Sequence, residues 1–294
     1  MGVRITGMHA LFGNETDPII GQTRSVFNLA NSYMQKVMEL DTTYSHLLAS
    51  TSCPDSISPS LGQCINQHYH KTLSSTYSID IVQGCTGGVN AMILASQLAE
   101  LNKSNVLVIA ADAAKKATSV SSEVYHVFKN GVFGCIISYT EDITGLIHFK
   151  SSQYEDLYDV VTISLGHDAD AVIMGNLQDM RADPRKHLGL KLDNHMALRL
   201  MQKAESFYLD FIAVTGHPDI LILHQVNVMI INHLQKVFEK YPIDFINMAE
   251  ETGNCGCATT GIVLDAIKEK IENKKVMICS FGTGGVIIAG LWQF

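Results

Sequence analysis

Short apolar runs recur along the chain, separated by longer stretches in which apolar residues return every three or four positions. The runs at 46–50, 78–82, 106–111, 135–139, 220–223, 276–280 and 286–292 are rich in Val, Ile and Leu, and several show no period-two alternation. A strand covered on one face alternates, whereas a strand covered on both faces reads as a continuous apolar run. These runs therefore predict buried strands. The intervening stretches predict helices over 26–40, 61–73, 88–101, 194–213, 226–239 and 259–272. Strands alternating with helices predict a layered α/β protein with mixed sheets.

No Gly/Ser/Pro-rich linker and no low-complexity segment divides the chain. Each half nevertheless carries a similar unit. In the first, a strand at 79–82 leads through Gly84-Cys85 into the helix beginning at 88; in the second, the Gly- and Cys-containing loop 253–257 leads into the helix at 259. The pattern is that of two similar halves folded into one globule.

Composition narrows the picture. With 294 residues, 47% hydrophobic and 17% charged, the chain can bury a large core and is not disordered. A net charge of −8 argues against a general nucleic-acid binder, which needs a basic face toward phosphates. No apolar run approaches the ~18–20 residues that span a bilayer. The first 13 residues include Arg4 and lack the apolar core of a signal peptide. A cytoplasmic protein without membrane or nucleic-acid partners is expected. Seven cysteines, an odd number, fit a reducing compartment. Cys255 and Cys257 are too close for the usual zinc spacing, no second pair follows, and no HExxH is present, so no metal site is expected.

Four local features can carry chemistry. In Val82-Gln83-Gly84-Cys85-Thr86-Gly87-Gly88 a strand delivers a Gly-flanked cysteine to a helix start, where free N–H groups and the macrodipole favour a thiolate. In Leu223-His224-Gln225-Val226-Asn227 a histidine ends an apolar strand, at the carboxyl end where ligands gather in open α/β folds. In Thr252-Gly253-Asn254-Cys255-Gly256-Cys257 an amide side chain in a Gly-rich loop can donate to a developing oxyanion. In Ser280-Phe281-Gly282-Thr283-Gly284-Gly285 a loop between two strands can offer a backbone N–H at close range. Each also has a purely structural reading: an inert buried cysteine, a capping histidine, a turn asparagine, a tight hairpin.

The order of the four motifs, from Thr43 to Phe294, resembles the β-ketoacyl-acyl carrier protein synthase III group of the thiolase superfamily; the likeness is clear at the motifs and vague between 145 and 190. The resemblance implies a thiolase fold, with two similar βαβαβ halves (1–145 and 146–294) forming a five-layer α-β-α-β-α sandwich. It implies Cys85 as nucleophile, with the N–H groups of Cys85 and Thr283 as oxyanion hole. His224 and Asn254 would stabilise the enolate left when a malonyl thioester loses carbon dioxide. His224 would then be neutral and protonated on Nε2, with Nδ1 accepting a backbone donor. Gly253, Gly282, Gly284 and Asn227 would border the substrate. No bound cofactor is implied, only acyl-coenzyme A or acyl-carrier-protein thioesters as substrates.

The sequence also departs from the group. Relatives place the nucleophile later in the chain, and the added part carries a Trp and an Arg that clamp the adenine of coenzyme A; here no Trp precedes Trp292. Coenzyme A would bind differently, or a carrier protein would supply the acyl group. Met229 stands where a basic residue helps dock acidic carriers, though Lys236 and Lys240 remain. Phe128-Lys129-Asn130-Gly131-Val132 replaces Phe-Gly-Asp-Gly-Ala. These changes point to a specialised-metabolism member. Ser58, in Ile57-Ser58-Pro59-Ser60, matches a bulky position that closes the acyl pocket of a partner subunit. A homodimer joined along the strand at 78–82 is expected, with a heterodimer as the alternative. Two other readings compete with condensation: acyl transfer from Cys85 to an alcohol or amine, and a non-catalytic partner in a heterodimer.

Overall fold

The computed structural model describes residues 2–13, 20–23, 25–37, 42–118, 125–158, 161–165, 188–192 and 196–294. In chain order the strands are β1 (Gly2–Gly13), β2 (His46–Ser50), β3 (Tyr77–Ile81), β4 (Asn105–Ala113), β5 (Asn130–Thr140), β6 (Gly145–Gln153), β7 (Val161–Leu165), β8 (Leu188–Leu192), β9 (Ile220–Leu223), β10 (Asp244–Ile246), β11 (Lys275–Gly282) and β12 (Val286–Gln293). The helices are α1 (Val26–Val37), α2 (Leu61–His68), α3 (His70–Leu73), α4 (Gly87–Asn102), α5 (Met196–Thr215), α6 (Val228–Phe238), α7 (Ala249–Thr252) and α8 (Thr259–Ala266).

Two five-stranded sheets share one plan. The first runs β1-β5-β4-β2-β3 and the second, read from its matching edge, β6-β12-β11-β9-β10. In both, the first three strands pair antiparallel and the last two join in parallel. Helices separate and cover these sheets. α4 and α8 are apolar nearly all round, as a helix between two sheets must be. Their side chains join inner faces of both sheets in one core that includes Phe133, Ile222, Ile278 and Trp292. Trp292 is fully buried there, and its indole N–H donates to Ser96 Oγ on α4 at 3.2 Å.

The outer helices are amphipathic. α1 buries Val26, Leu29, Ala30, Tyr33, Met34 and Val37, one stripe at helical spacing, against the far face of the first sheet. α5 and α6 do the same for the second sheet, where Phe207, Phe211, Ile231 and Leu234 pack on Leu221 and Phe281. The layers are thus α-β-α-β-α, the thiolase fold. β7 and β8 form a separate antiparallel pair.

The predicted strands and helices recur with shifted ends. The helix expected over 61–73 divides at Tyr69, whose hydroxyl donates to Asn31 on α1 at 2.6 Å while its backbone leaves helical geometry. α2 itself starts on a capping box: Ser60 Oγ accepts from Gln63 N, and Gln63 Oε1 accepts from Ser60 N. The helix expected from 226 begins at Val228, because the Asn227 side chain caps it by accepting from Ile230 N at 2.8 Å. Positions 38–40 and 194–195 of two predicted helices lie outside the described residues. The sequence pattern missed β1, β6, β7, β8 and β10. β1 contains a register shift between Thr6 and His9, and β6 alternates half-covered and exposed residues, so neither reads as a buried run.

Candidate active site

The nucleophile candidate sits where β3 meets α4. Gly84–Thr86 form a single 3-10 turn that carries Cys85 to the head of α4. This turn interlocks with the end of β11 from the other half. Ser280 Oγ donates to the Cys85 carbonyl at 2.8 Å. Gly282 packs so closely that a Cβ there would lie 3.0 Å from Cys85 Cβ and 3.4 Å from its Sγ. Glycine lets the loop approach this closely without displacing Cys85.

His224 ends β9, and its backbone N–H donates to the Cys279 carbonyl at 3.0 Å. The ring is fully buried and meets Phe281 edge-on, with centroids 5.8 Å apart. Neither ring nitrogen has a hydrogen-bond partner among the described residues. The backbone donor expected at Nδ1 is therefore missing: the ring is held by packing on Phe281 and not by a polar contact. A buried polar group left unpaired costs about 1–3 kcal/mol, a cost that a substrate oxygen would relieve.

Asn254 is fixed from several sides. Its N–H donates to Val127 O at 3.0 Å, and its carbonyl accepts from Lys129 N at 2.9 Å. Its side-chain Oδ1 accepts from Gly256 N at 3.0 Å, while Nδ2 lies 3.5 Å from Val226 O. The oxygen is thereby committed, and one Nδ2–H remains to donate.

Cys85, His224 and Asn254 line one cavity of about 90 Å³. Asn227, Gly282 and Thr283 border it as well. Much of the remaining wall is apolar, including Ala114, Ala117, Phe128, Leu157, Val161 and Leu200. Gly253, Gly284 and Ser58 are not part of this wall. Gly253 takes φ +58 beside the Lys129 side chain, and Gly284 turns the β11–β12 connection at φ +71. Ser58 is exposed and lines a separate open groove with Phe27, Gln63 and His68.

Burial sets the protonation states. It pushes the Cys85 thiol up to about 12, with the nearby negative charge of Asp112 adding to the shift and the residue's own N–H opposing it. The lowered thiol pKa expected from the helix start is thus reversed, because loss of hydration outweighs one turn of backbone dipoles. Burial alone lowers His224 to about 3. At neutral pH the site holds a thiol and a neutral imidazole.

The described C-terminal region, 215–294, matches the model of the 3-oxoacyl-[acyl-carrier-protein (ACP)] synthase III C-terminal family. The β-ketoacyl-[acyl-carrier-protein] synthase III of Rickettsia typhi is 25% identical over 280 residues, covering 91% of this chain and 83% of the relative. The chain is thus similar to the β-ketoacyl-ACP synthase III proteins over most of its length. Solved structures share the fold of this synthase III-like protein. The priming β-ketosynthase of the R1128 polyketide biosynthetic pathway superposes with a TM-score of 0.79 at 15% identity, covering 99% of this chain and 96% of that one. Xanthomonas campestris OleA with bound lauric acid and lauroyl-CoA gives 0.76 at 15% identity, covering 100% and 99%.

Two polar residues of the synthase III-like site escaped the motif reading. Ser52 borders the cavity just after β2. Asp112 lies behind it, fully buried, as the one charged residue of β4. The signal was present in the sequence: a lone carboxylate at the end of an otherwise apolar strand must have donors around it.

Proposed function

We propose that this member of a family of condensing enzymes joins an acyl group to a malonyl-type thioester. The observation that carries the reading is the shared cavity of Cys85, His224 and Asn254, in which a buried neutral imidazole and an amide N–H are both free to donate. Two neutral donors suit an enolate oxygen, whereas simple acyl transfer needs chiefly a base.

The steps follow from these groups. Cys85 Sγ attacks the thioester carbonyl, and the N–H groups of Cys85 and Thr283 receive the oxyanion. The departing thiolate takes up the proton that Sγ gives up, so no lasting charge is created. A malonyl-type thioester then enters. Its bond to the carboxylate breaks, carbon dioxide leaves, and the electron pair becomes an enolate held by His224 and Asn254. The enolate carbon attacks the acyl carbonyl, a carbon–carbon bond forms, and Cys85 departs as a thiolate that takes a proton from solvent. Burial of His224 supports this role, because an imidazolium would be costly in the cavity.

The exposed face near the site bears on the donor. Met229 is 80% exposed one turn after His224, Lys236 is exposed, and Lys240 is engaged by Glu205 at 2.5 Å. That face offers an acidic carrier the exposed Lys236 and the paired Lys240, so docking of such a carrier there would be weak. β3 forms an edge of the first sheet, with Tyr77 66% and Val82 70% exposed. Pairing with a second copy along β3 would cover them and bring the partner's loop toward the acyl pocket.

Intact-mass spectrometry with acyl thioesters should show one acyl adduct on the parent protein and none on Cys85→Ala. Malonyl thioester should then release carbon dioxide, with a loss of about 10²–10³-fold in Asn254→Ala. An acylated protein that makes esters or amides without releasing carbon dioxide would replace condensation by acyl transfer.

A further inference from the structure

Asp112 has no part in the steps above, yet it occupies the middle of the molecule. Its carboxylate is fully buried. Oδ1 accepts from Thr51 Oγ1 at 2.9 Å, Ser52 N at 2.7 Å and Cys53 Sγ at 3.3 Å. Oδ2 accepts from Ser52 Oγ at 2.7 Å and from Cys257 N at 2.7 Å. A buried carboxylate is retained only where donors replace its water.

These donors come from both halves. Thr51, Ser52 and Cys53 follow β2 in the first sheet, and Cys257 belongs to the turn that opens α8 beneath the second. The two arms end at the site. Ser52 is a wall of the cavity. Cys257 is the neighbour of Gly256, whose N–H fixes the Asn254 amide through Oδ1 at 3.0 Å. The peptide plane that carries the Cys257 N–H meets the plane that carries the Gly256 N–H at the Gly256 Cα, so a carboxylate that holds the first restricts the directions from which Gly256 can hold Asn254. Gly256 itself takes φ +57, and a Cβ there would overlap Asp112 Oδ2. The turn and the carboxylate are fitted to each other.

We propose that Asp112 is the positioning residue of this site: it ties the segment after β2 to the turn after Asn254 and so aims the Asn254 amide at the substrate oxygen. The proposal rests on the reading of Asn254 as an enolate donor. The ionisable groups facing the carboxylate are the thiols of Cys53, Cys85, Cys255 and Cys257, each of which it disfavours as a thiolate. The Lys116 ammonium, whose charge also reaches Cys53, is engaged instead by Pro54 O at 3.1 Å and Asp55 at 2.7 Å. Asp112 therefore works against ionisation of the nucleophile, and its place in the site follows from geometry.

Asp112→Asn keeps the shape, removes the charge and turns one acceptor into a donor facing donors. Three readouts separate positioning from general support: carbon dioxide release from malonyl thioester, acyl loading by intact mass, and the pH dependence of iodoacetamide labelling at Cys85. Carbon dioxide release should fall about 10²-fold, the scale of a misplacement near 1 Å. Loading should fall far less, and the labelling profile should move to lower pH. Parallel loss of both reactions with an unmoved labelling profile would reduce Asp112 to structural support, and parent-like carbon dioxide release would overturn the proposal outright. Asn254→Ala measured alongside separates the two ideas. If it decarboxylates normally, the reading of Asn254 is wrong; if it is impaired while Asp112→Asn is not, only the positioning role falls. Should Asp112→Asn fail to fold, Gly256→Ala keeps the carboxylate and displaces the turn. It must show the same selective loss of carbon dioxide release, and equal rates with the parent would overturn the proposal.

Discussion

Acid is a direct probe of the buried His224. Its folded pKa is lowered to about 3 by burial, against about 6.5 for an exposed imidazole. A group whose folded pKa lies below its unfolded one contributes stability that is complete above the unfolded value and is lost as pH falls toward the folded one. The window for His224 therefore runs from about 6.5 down to about 3. Within it each pH unit costs about 1.4 kcal/mol, so moving from pH 7 to pH 5 should remove about 2 kcal/mol. The chain has 12 histidines, so the loss in the parent alone would not be diagnostic. Urea unfolding at both pH values and at fixed protein concentration, for the parent and for His224→Gln, isolates the residue. The variant should lose about 2 kcal/mol less than the parent between pH 7 and pH 5. An equal loss in both proteins would refute the burial argument. The same neutrality predicts that carbon dioxide release from malonyl thioester shows no imidazole titration between pH 8 and pH 5.

Other expectations concern packing and assembly. Gly282→Ala places a carbon 3.0 Å from Cys85 Cβ. Ordinary carbon contacts are about 3.5–4.0 Å, so the loop or Cys85 must shift by about half an ångström, and acyl loading should slow about tenfold. An unchanged loading rate by intact mass would show that this close approach is unimportant. Light scattering at micromolar concentration should give a dimer, and Val82→Lys at the exposed end of β3 should shift it toward monomer; a monomeric parent would refute pairing through that edge. Ser58→Phe should reduce loading of decanoyl relative to acetyl thioester, since each methylene admitted to an apolar pocket is worth about 0.8 kcal/mol. Unaltered competition between the two thioesters would show that Ser58 does not reach the acyl pocket of a partner copy.

The sequence by itself determined the buried interior of this protein. Strands covered on both faces, such as β4 and β11, carry long apolar runs, and helices between sheets, such as α4, are apolar nearly all round. Those patterns leave a local mark, as does a cysteine set between a strand and a helix. Edge strands leave a weaker one: β6 has exposed residues at every second position, and β1 is broken by a register shift at Gly7. Their pairing is decided by the neighbour that offers unpaired N–H and C=O groups. The tertiary structure alone decided the state of the site. His224 is neutral and Cys85 a thiol because segments more than a hundred residues apart close over them, and hydration is lost only when they meet. Separation in sequence also hid Asp112, whose donors lie 59–61 and 145 positions away. A local pattern records whether a residue is apolar; which polar groups converge on a buried charge is settled by how the two sheets pack.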